Sequence, residues 1–390
     1  TLWTRHWVEF QKIYADQFNE MYGALTQVKK EQVRKLIRCG KFQNGFQRHT
    51  CHDCGTILIV PFTCKSRLCL SCARKRLFGW SLNLSKIMNT SLKHVHVTFT
   101  IPGQLCRLLF ERKYEAEKMI PLAAGIYKKF LQNSAGKKGN EFQPGILATL
   151  HKSGNSLNYN PHVHLISTQE LIDVKNGEII EINYLSYKTV RFVWQKEFLA
   201  HLVKQEIISK EEQVQFIEKY KNGFHVYFQP IKGDENEVLF RTTEYIAIGY
   251  FHNSQIVAVD HHNKTISFNY RKSMERATRK KHYAVKTMHI YAFMAAMLFY
   301  LPEKHRKMIR YYGIYAHKVE RKLDEIDRCT WAKAVEHSFE ANPKMCPHCK
   351  APMVKDVVFS YLADREIKQL VTTHRIIKGY FAPFKRTQPP

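Results

Sequence analysis

Two histidines stand one residue apart in Asn160-Pro161-His162-Val163-His164-Leu165. In an extended strand alternate side chains share a face, so His162 and His164 project together while Val163 points into a core. Upstream, Gly145–His151 also has strand character, the stretch Lys152–Asn160 is rich in turn residues, and Pro161 leads into the second strand. A hairpin of that length places His151 opposite the His162/His164 pair. Three converging imidazoles suit a metal ion, whereas a lone histidine is more often a satisfied polar residue of a sheet. A competing His-x-His strand, His94-Val95-His96-Val97-Thr98-Phe99-Thr100, ranks second. It is either a neighbouring strand lining the same floor or the polar face of a sheet, since no turn brings it a third ligand.

The partner is constrained by charge. Across 390 residues, 61 Lys and Arg face 34 Asp and Glu, a formal charge of +27. Such an excess calls for a polyanion, and nucleic acid is the usual one. A membrane role is disfavoured. The longest apolar run, Ile290–Leu301, is too short for a bilayer, and no signal-peptide pattern opens the sequence. The ten cysteines concentrate in C-x-x-C pairs, which points to a reducing cytoplasm and zinc rather than disulfides.

The expected fold class is α+β: a central antiparallel sheet, an N-terminal helical and zinc-binding domain before it, and C-terminal helices with a further cysteine knuckle behind. Trp7, Phe10, Tyr14, Phe18, Met21, Leu25 and Val28 recur at helical steps over the first forty residues. Alternating segments at His94–Thr100, Ile146–His151, His162–Thr168, Val238–Arg241, Ile256–Asp260 and Thr265–Tyr270 predict strands, with amphipathic helices near 112–133 and 187–220. Arg271–Tyr300 and Glu303–Tyr312 read as basic helices. The corresponding domains are 1–88 (helices and zinc), 89–275 (the His-bearing sheet), 276–330 (basic helices) and 331–390 (knuckle and tail).

Cys51-x2-Cys54 and Cys69-x2-Cys72 form two knuckles whose four thiolates suit one tetrahedral structural Zn2+. Cys64, in the gap, is an alternative ligand, and Cys39 reads as an ordinary buried thiol. Lys65, Arg67, Arg74, Lys75 and Arg76 surround the module and offer cations to phosphates. The C-terminal Cys346-x2-Cys349 is half a site, either completed by Cys329, His337 or His348 or formed of plain loop cysteines.

Asn160–Ile166 resembles the HUH motif (His–hydrophobe–His) of the single-strand nuclease superfamily that includes relaxases and rolling-circle initiators. Further blocks in the same order are similar to the IS-ninety-one-type rolling-circle transposases. They are Phe62–Cys72, Val97–Pro102, the His block, Thr243–Ala247, Ile309–Gly313 and Cys346–Cys349. The resemblance covers about residues 30–355. It implies an HUH nuclease fold, a divalent ion (Mg2+ or Mn2+) on His151, His162 and His164, and Tyr245 as the nucleophile. Two-tyrosine members carry the second tyrosine four residues on. Here that position is Gly249, followed by Tyr250, which leaves the number of nucleophiles open.

On this reading the chain nicks and rejoins single-stranded transposon ends through a 5′-phosphotyrosine. Basic segments including Arg276, Arg279, Lys280, Lys281, Arg306, Lys307 and Arg310 would hold DNA, and the expected location is a prokaryotic cytoplasm, at the nucleoid. The alternative is a zinc-dependent DNA- or RNA-binding regulator without catalysis. It explains the charge and the cysteines equally well but not the histidines.

Overall fold

A computed structural model describes residues 2–64, 66–69, 72, 80, 84, 87–88, 91–182, 186–231, 242, 251, 253–274, 281–301, 306–316, 342–359 and 375–376. The N-terminal elements are α1 (Leu2–Tyr22), α2 (Gln27–Arg38), β1 (Phe46–Thr50) and β2 (Ile57–Pro61). Then come β3 (His94–Phe99), α3 (Gly103–Glu111), α4 (Met119–Ser134), β4 (Phe142–Gln143), β5 (Gly145–Ser153) and β6 (Tyr159–Thr168). β7 (Leu171–Asp173), β8 (Ile179–Ile180), α5 (Tyr187–Lys204), α6 (Lys210–Lys219) and β9 (Val226–Ile231) follow. The last are β10 (Ile256–Asp260), β11 (Thr265–Met274), β12 (Lys281–His289), α7 (Ile290–Phe299), β13 (Ile309–Gly313), β14 (Val354–Phe359) and β15 (Arg375–Ile376). They divide into two compact units, neither continuous in sequence: 1–80 with 251–304 and 328–390, and 81–250 with 305–327.

In the first unit, α1 buries Trp3, Trp7, Phe10 and Tyr14 at helical spacing. The helix stops at Gly23, whose φ of 71° a glycine adopts without strain and whose N–H closes onto Asn19 O. Thr26 then caps α2 by accepting from the Lys29 N–H, so the expected helical region is two helices. Met21 and Val28, expected on the apolar stripe, are exposed. α7 is buried on nearly every side, with Phe10 packed against Tyr291 and Tyr22 against Phe299. Two sheets belong to this unit, β14-β1-β2-β15 and β10-β11-β12.

Two expectations are corrected. The described residues of Arg271–Tyr300, read as a basic helix, hold the end of β11 and then β12, and are helical from Ile290. Glu303–Tyr312, read the same way, contributes β13. Cross-strand pairing overrides helix propensity in both places. The expected strand Val238–Arg241 lies outside the described residues.

The second unit is built on a five-stranded sheet ordered β13-β5-β6-β3-β9, antiparallel at each pairing. Strand alternation sorts its side chains. Val95, Val97, Phe99, Ile146, Ala148, Leu150, Val163 and Leu165 enter one core with α3, α4, α5 and α6. Trp194 of α5 meets Phe99 edge-on at 5.2 Å and donates its indole N–H to Thr100 O. The residues between them (His94, His96 and Thr98; Thr149 and His151; His162 and His164) therefore occupy the opposite face. At the β13 edge, Gly313 takes φ 59° and approaches the Pro144 carbonyl too closely for any Cβ.

Buried on that face, His94 bonds Leu92 O through Nδ1 and Tyr315 OH through Nε2, both at 2.7 Å. Burial pushes its pKa down from 6.5 to about 4. Between these values the unfolded chain takes up a proton that the folded chain refuses, so stability falls as pH drops from about 6.5 towards 4, by up to about 3 kcal/mol. Urea midpoints at pH 7 and pH 5 should differ less in His94→Asn than in the parent protein. Identical acid losses would refute this assignment.

Candidate functional site

The β5–β6 hairpin sets the His constellation. Its register opposes His151 to His162 and Thr149 to His164. On the other flank of β6, Thr98 of β3 opposes His164. Directly opposed residues of antiparallel strands share a face, so His151, His162 and His164 converge without any long-range fold requirement. Their ligand atoms lie within 4.8 Å of one another. The ring centroids of His151 and His162 are 4.4 Å and 4.8 Å from that of His164.

Hydrogen bonds choose the tautomers. His162 Nδ1 lies 2.7 Å from Asn160 O. A carbonyl only accepts, so Nδ1 carries the proton and Nε2 keeps a lone pair. His164 Nδ1 meets His96 Nε2 at 2.8 Å, with Thr98 Oγ1 within 3.3 Å of both rings' nitrogens. When His164 donates in that bond its Nε2 is likewise left as a ligand atom, with His96 as its orienting partner. Burial lowers the pKa of His162. His164 falls well below its ordinary value through burial and then through the neighbouring His151, His162 and His96. Burial, followed by His162, brings His96 down to about 4. Neutral imidazoles are the metal-binding form, so His162 and His164 are ready as donors at neutral pH. The second His-x-His strand thus lies beside the first, with His96 behind His164.

Two clusters of four cysteines occur in the other unit. One gathers Cys39, Cys64, Cys69 and Cys72, the other Cys51, Cys54, Cys346 and Cys349, each within 4.8 Å. In the first, Cys39 lies 3.7 Å and Cys64 3.5 Å from Cys72 Sγ. In the second, Cys51 approaches Cys349, and Cys54 approaches Cys346, at 3.5 Å. The sequence reading joined Cys51 and Cys54 to Cys69 and Cys72, and the structure separates these pairs. Because Thr50 pairs with Ile57 on one side and Val354 on the other, the turn after β1 and the turn before β14 meet at one end of the sheet. Cys39, read as a plain thiol, and Cys64, read as an alternative, complete the other cluster.

The paired turns share one geometry. Cys51 N–H bonds Thr56 O and Gly55 N–H bonds Cys51 O; Cys346 N–H bonds Ala351 O and Lys350 N–H bonds Cys346 O. Gly55 and Lys350, each four residues past the first cysteine, both take positive φ, 70° and 66°. Two such knuckles facing each other give the closed four-thiolate set that structural Zn2+ prefers.

Comparison with known proteins agrees with this layout. The family model "Transposase zinc-binding domain" matches residues 9–101, and the model "Putative transposase" matches 145–322. The chain belongs to the IS-ninety-one-type transposases. It is similar to the transposase for insertion sequence element IS801 of Pseudomonas savastanoi pv. phaseolicola, 26% identical over 76% of this chain and 72% of the relative. It is also similar to "Putative transposase y4qJ" of Sinorhizobium fredii, 22% identical over 80% of each chain. No solved structure matches.

In this transposase the zinc-binding model spans the six N-terminal cysteines of both clusters, and zinc fits both donor sets. The other expected residues are scattered. Arg67 is half-buried in the zinc unit, its N–H bonded to Gln32 Oε1. Arg310, expected on a DNA-binding helix, lies on β13 opposite Ala148, hence on the sheet face away from the histidines. Lys281 is exposed at the start of β12. Tyr245, Tyr250, Lys65, Arg74, Lys75, Arg76, Arg276, Arg279, Lys280, Cys329 and His337 lie outside the described residues. No described helix is long and apolar enough to cross a membrane.

Proposed function

We propose that this transposase is a site-specific single-strand DNA endonuclease and strand transferase of HUH type, which nicks and rejoins transposon ends in rolling-circle transposition. The observation that carries the reading is the three-imidazole cluster on adjacent strands, in a chain of transposase family and charge +27. His151, His162 and His164 would hold one divalent ion, Mg2+ or Mn2+. When bound, such an ion polarises a phosphodiester and orients it for in-line attack. Imidazoles alone favour later transition metals, so phosphate and water oxygens would complete the set for Mg2+ or Mn2+. His96 and Thr98 keep His164 in one orientation. Asn160 O does the same for His162.

Tyr245 supplies the nucleophile, with Tyr250 as a second candidate. The phenolic oxygen bonds phosphorus as the P–O3′ bond breaks, the tyrosyl proton leaves, and the departing 3′-oxygen gains one. One phosphodiester replaces another, so the bond energy is kept for rejoining. The cations of the zinc unit would hold the strand. The proposed location is the cytoplasm, at the nucleoid.

Incubating the protein with single-stranded oligonucleotides and Mg2+ or Mn2+ should yield a covalent protein–DNA adduct, lost in Tyr245→Phe. An adduct that survives in Tyr245→Phe but not in Tyr250→Phe would move the nucleophile to Tyr250. No adduct from the parent protein with any end-like oligonucleotide would favour the non-catalytic regulator. Cleavage without an adduct would mean a hydrolytic nuclease.

A further inference from the structure

The β10-β11-β12 sheet is three-stranded only at its base. β10 pairs with β11 as far as Phe268, and from Asn269 onward β11 and β12 pair only with each other. This two-stranded ribbon, Asn269–Met274 against Lys281–Val285, is about 20 Å long at the usual rise per residue. Arg271, Lys281, Tyr283 and Val285 are exposed on one face of the ribbon, whereas on the other Tyr270, Ala284 and Lys286 are half-buried and His282 is exposed. One face of the ribbon is therefore open along its length. At the base the same sheet buries Ile266 and Phe268, and Phe268 packs on Phe293 of α7, so the ribbon springs from a fixed foundation.

The ribbon is a concentrated cation. β11 and β12 carry Arg271, Lys272, Lys281 and Lys286 and contain no Asp or Glu. Arg271 opposes Tyr283 directly, and Asn269 opposes Val285, so guanidinium, phenol, amide and methyl groups share one face. The register shifts between Arg271 and Ser273, a bulge that leaves Lys272 as the extra, exposed residue.

We propose that this ribbon enters the major groove of duplex DNA, giving the transposase a reader of double-stranded sequence separate from the His site. The proposal rests on the DNA-transposase reading above. A B-form major groove, about 12 Å wide, admits a two-stranded β-ribbon, and the open face carrying Asn269, Arg271 and Val285 can turn to the base edges. Arg271 has the geometry for guanine O6 and N7, Asn269 for adenine N6 and N7, and Val285 for a thymine methyl group. Lys272 and Lys281 would neutralise flanking phosphates. A single-strand platform instead stacks successive bases on several aromatics. Here Tyr283 is the exposed aromatic of the ribbon, which favours the duplex.

The test uses the full chain, a mixed-sequence duplex of about 25 base pairs and each of its single strands. Arg271→Gln/Lys272→Gln/Lys281→Gln should weaken duplex binding about tenfold or more near 0.15 M salt, and reduce the salt slope by about 2 to 3. The parent protein should protect guanine N7 from dimethyl sulfate, and the variant should lose that protection. Unchanged zinc content and urea midpoint would certify the fold. Unaltered duplex affinity, protection confined to adenine N3 in the minor groove, or an equal loss with single strands would each overturn the proposal. The nuclease reading is judged apart from this, by adduct formation with the parent protein on single strands. Its failure alongside intact N7 protection would leave a duplex-binding ribbon in a protein that does not nick.

Discussion

His164→Ala is expected to reduce strand cleavage and adduct formation by about a thousandfold or more, a loss on the scale of removing a principal group that stabilises the reacting charge. His164 is the hub of the cluster. Its ring is nearest to His151 and His162 on one side and shares a 2.8 Å bond with His96 on the other. Its removal takes away one of three imidazole ligands and strips His96 of that bond. Titration of Mn2+ into the variant should show divalent binding weakened in parallel. His96→Phe leaves the three ligands in place and removes the bonds to His164 and Thr98, so a milder loss of about 10- to 100-fold is expected there, the range for a group that positions a ligand. Parent-like adduct yield in His164→Ala would remove the metal role from this face of the sheet.

The second large effect concerns zinc. The parent chain should contain about two zinc ions, and Cys346→Ser/Cys349→Ser about one, since each cluster offers four thiolates to a separate ion. Binding of structural zinc to finger-like sites is worth about 10 to 16 kcal/mol, so its loss should also release β14 from β1. Proteolysis should then begin near β14, while the Cys39, Cys64, Cys69 and Cys72 site stays loaded. Cys39→Ser should instead disturb that first site. A variant lacking Cys346 and Cys349 that retains two ions would refute the paired knuckles, and one that loses both would mean that the clusters are not independent.

The features legible in the chain were those set by short separations. His151, His162 and His164 lie in one hairpin, and strand alternation alone turns them to a common face. The helical stripe around Trp7, Phe10 and Tyr14 was legible for the same reason. Helix was misread where an element lacks a buried face. Lys281–His289 stands largely in solvent, so no apolar alternation distinguishes it from a basic helix. Ile309–Gly313 is a five-residue edge strand, too short to declare a period. His96 was ambiguous because its value depends on which strand lies beside β6.

By itself, then, the sequence determined the donor types, the hairpin that groups three histidines, and a cationic chain with cysteines paired two by two. Only the tertiary structure decided which thiolates share an ion. Cys51 and Cys54 find Cys346 and Cys349, almost 300 positions away, because β14 pairs with β1. It also put His96 behind His164, and paired the basic segments at 271–274 and 281–285 into a ribbon. The physical reason is common to all three. Spacing along the chain governs contacts within a turn or hairpin, whereas strand pairing brings together residues whose separation leaves no local trace.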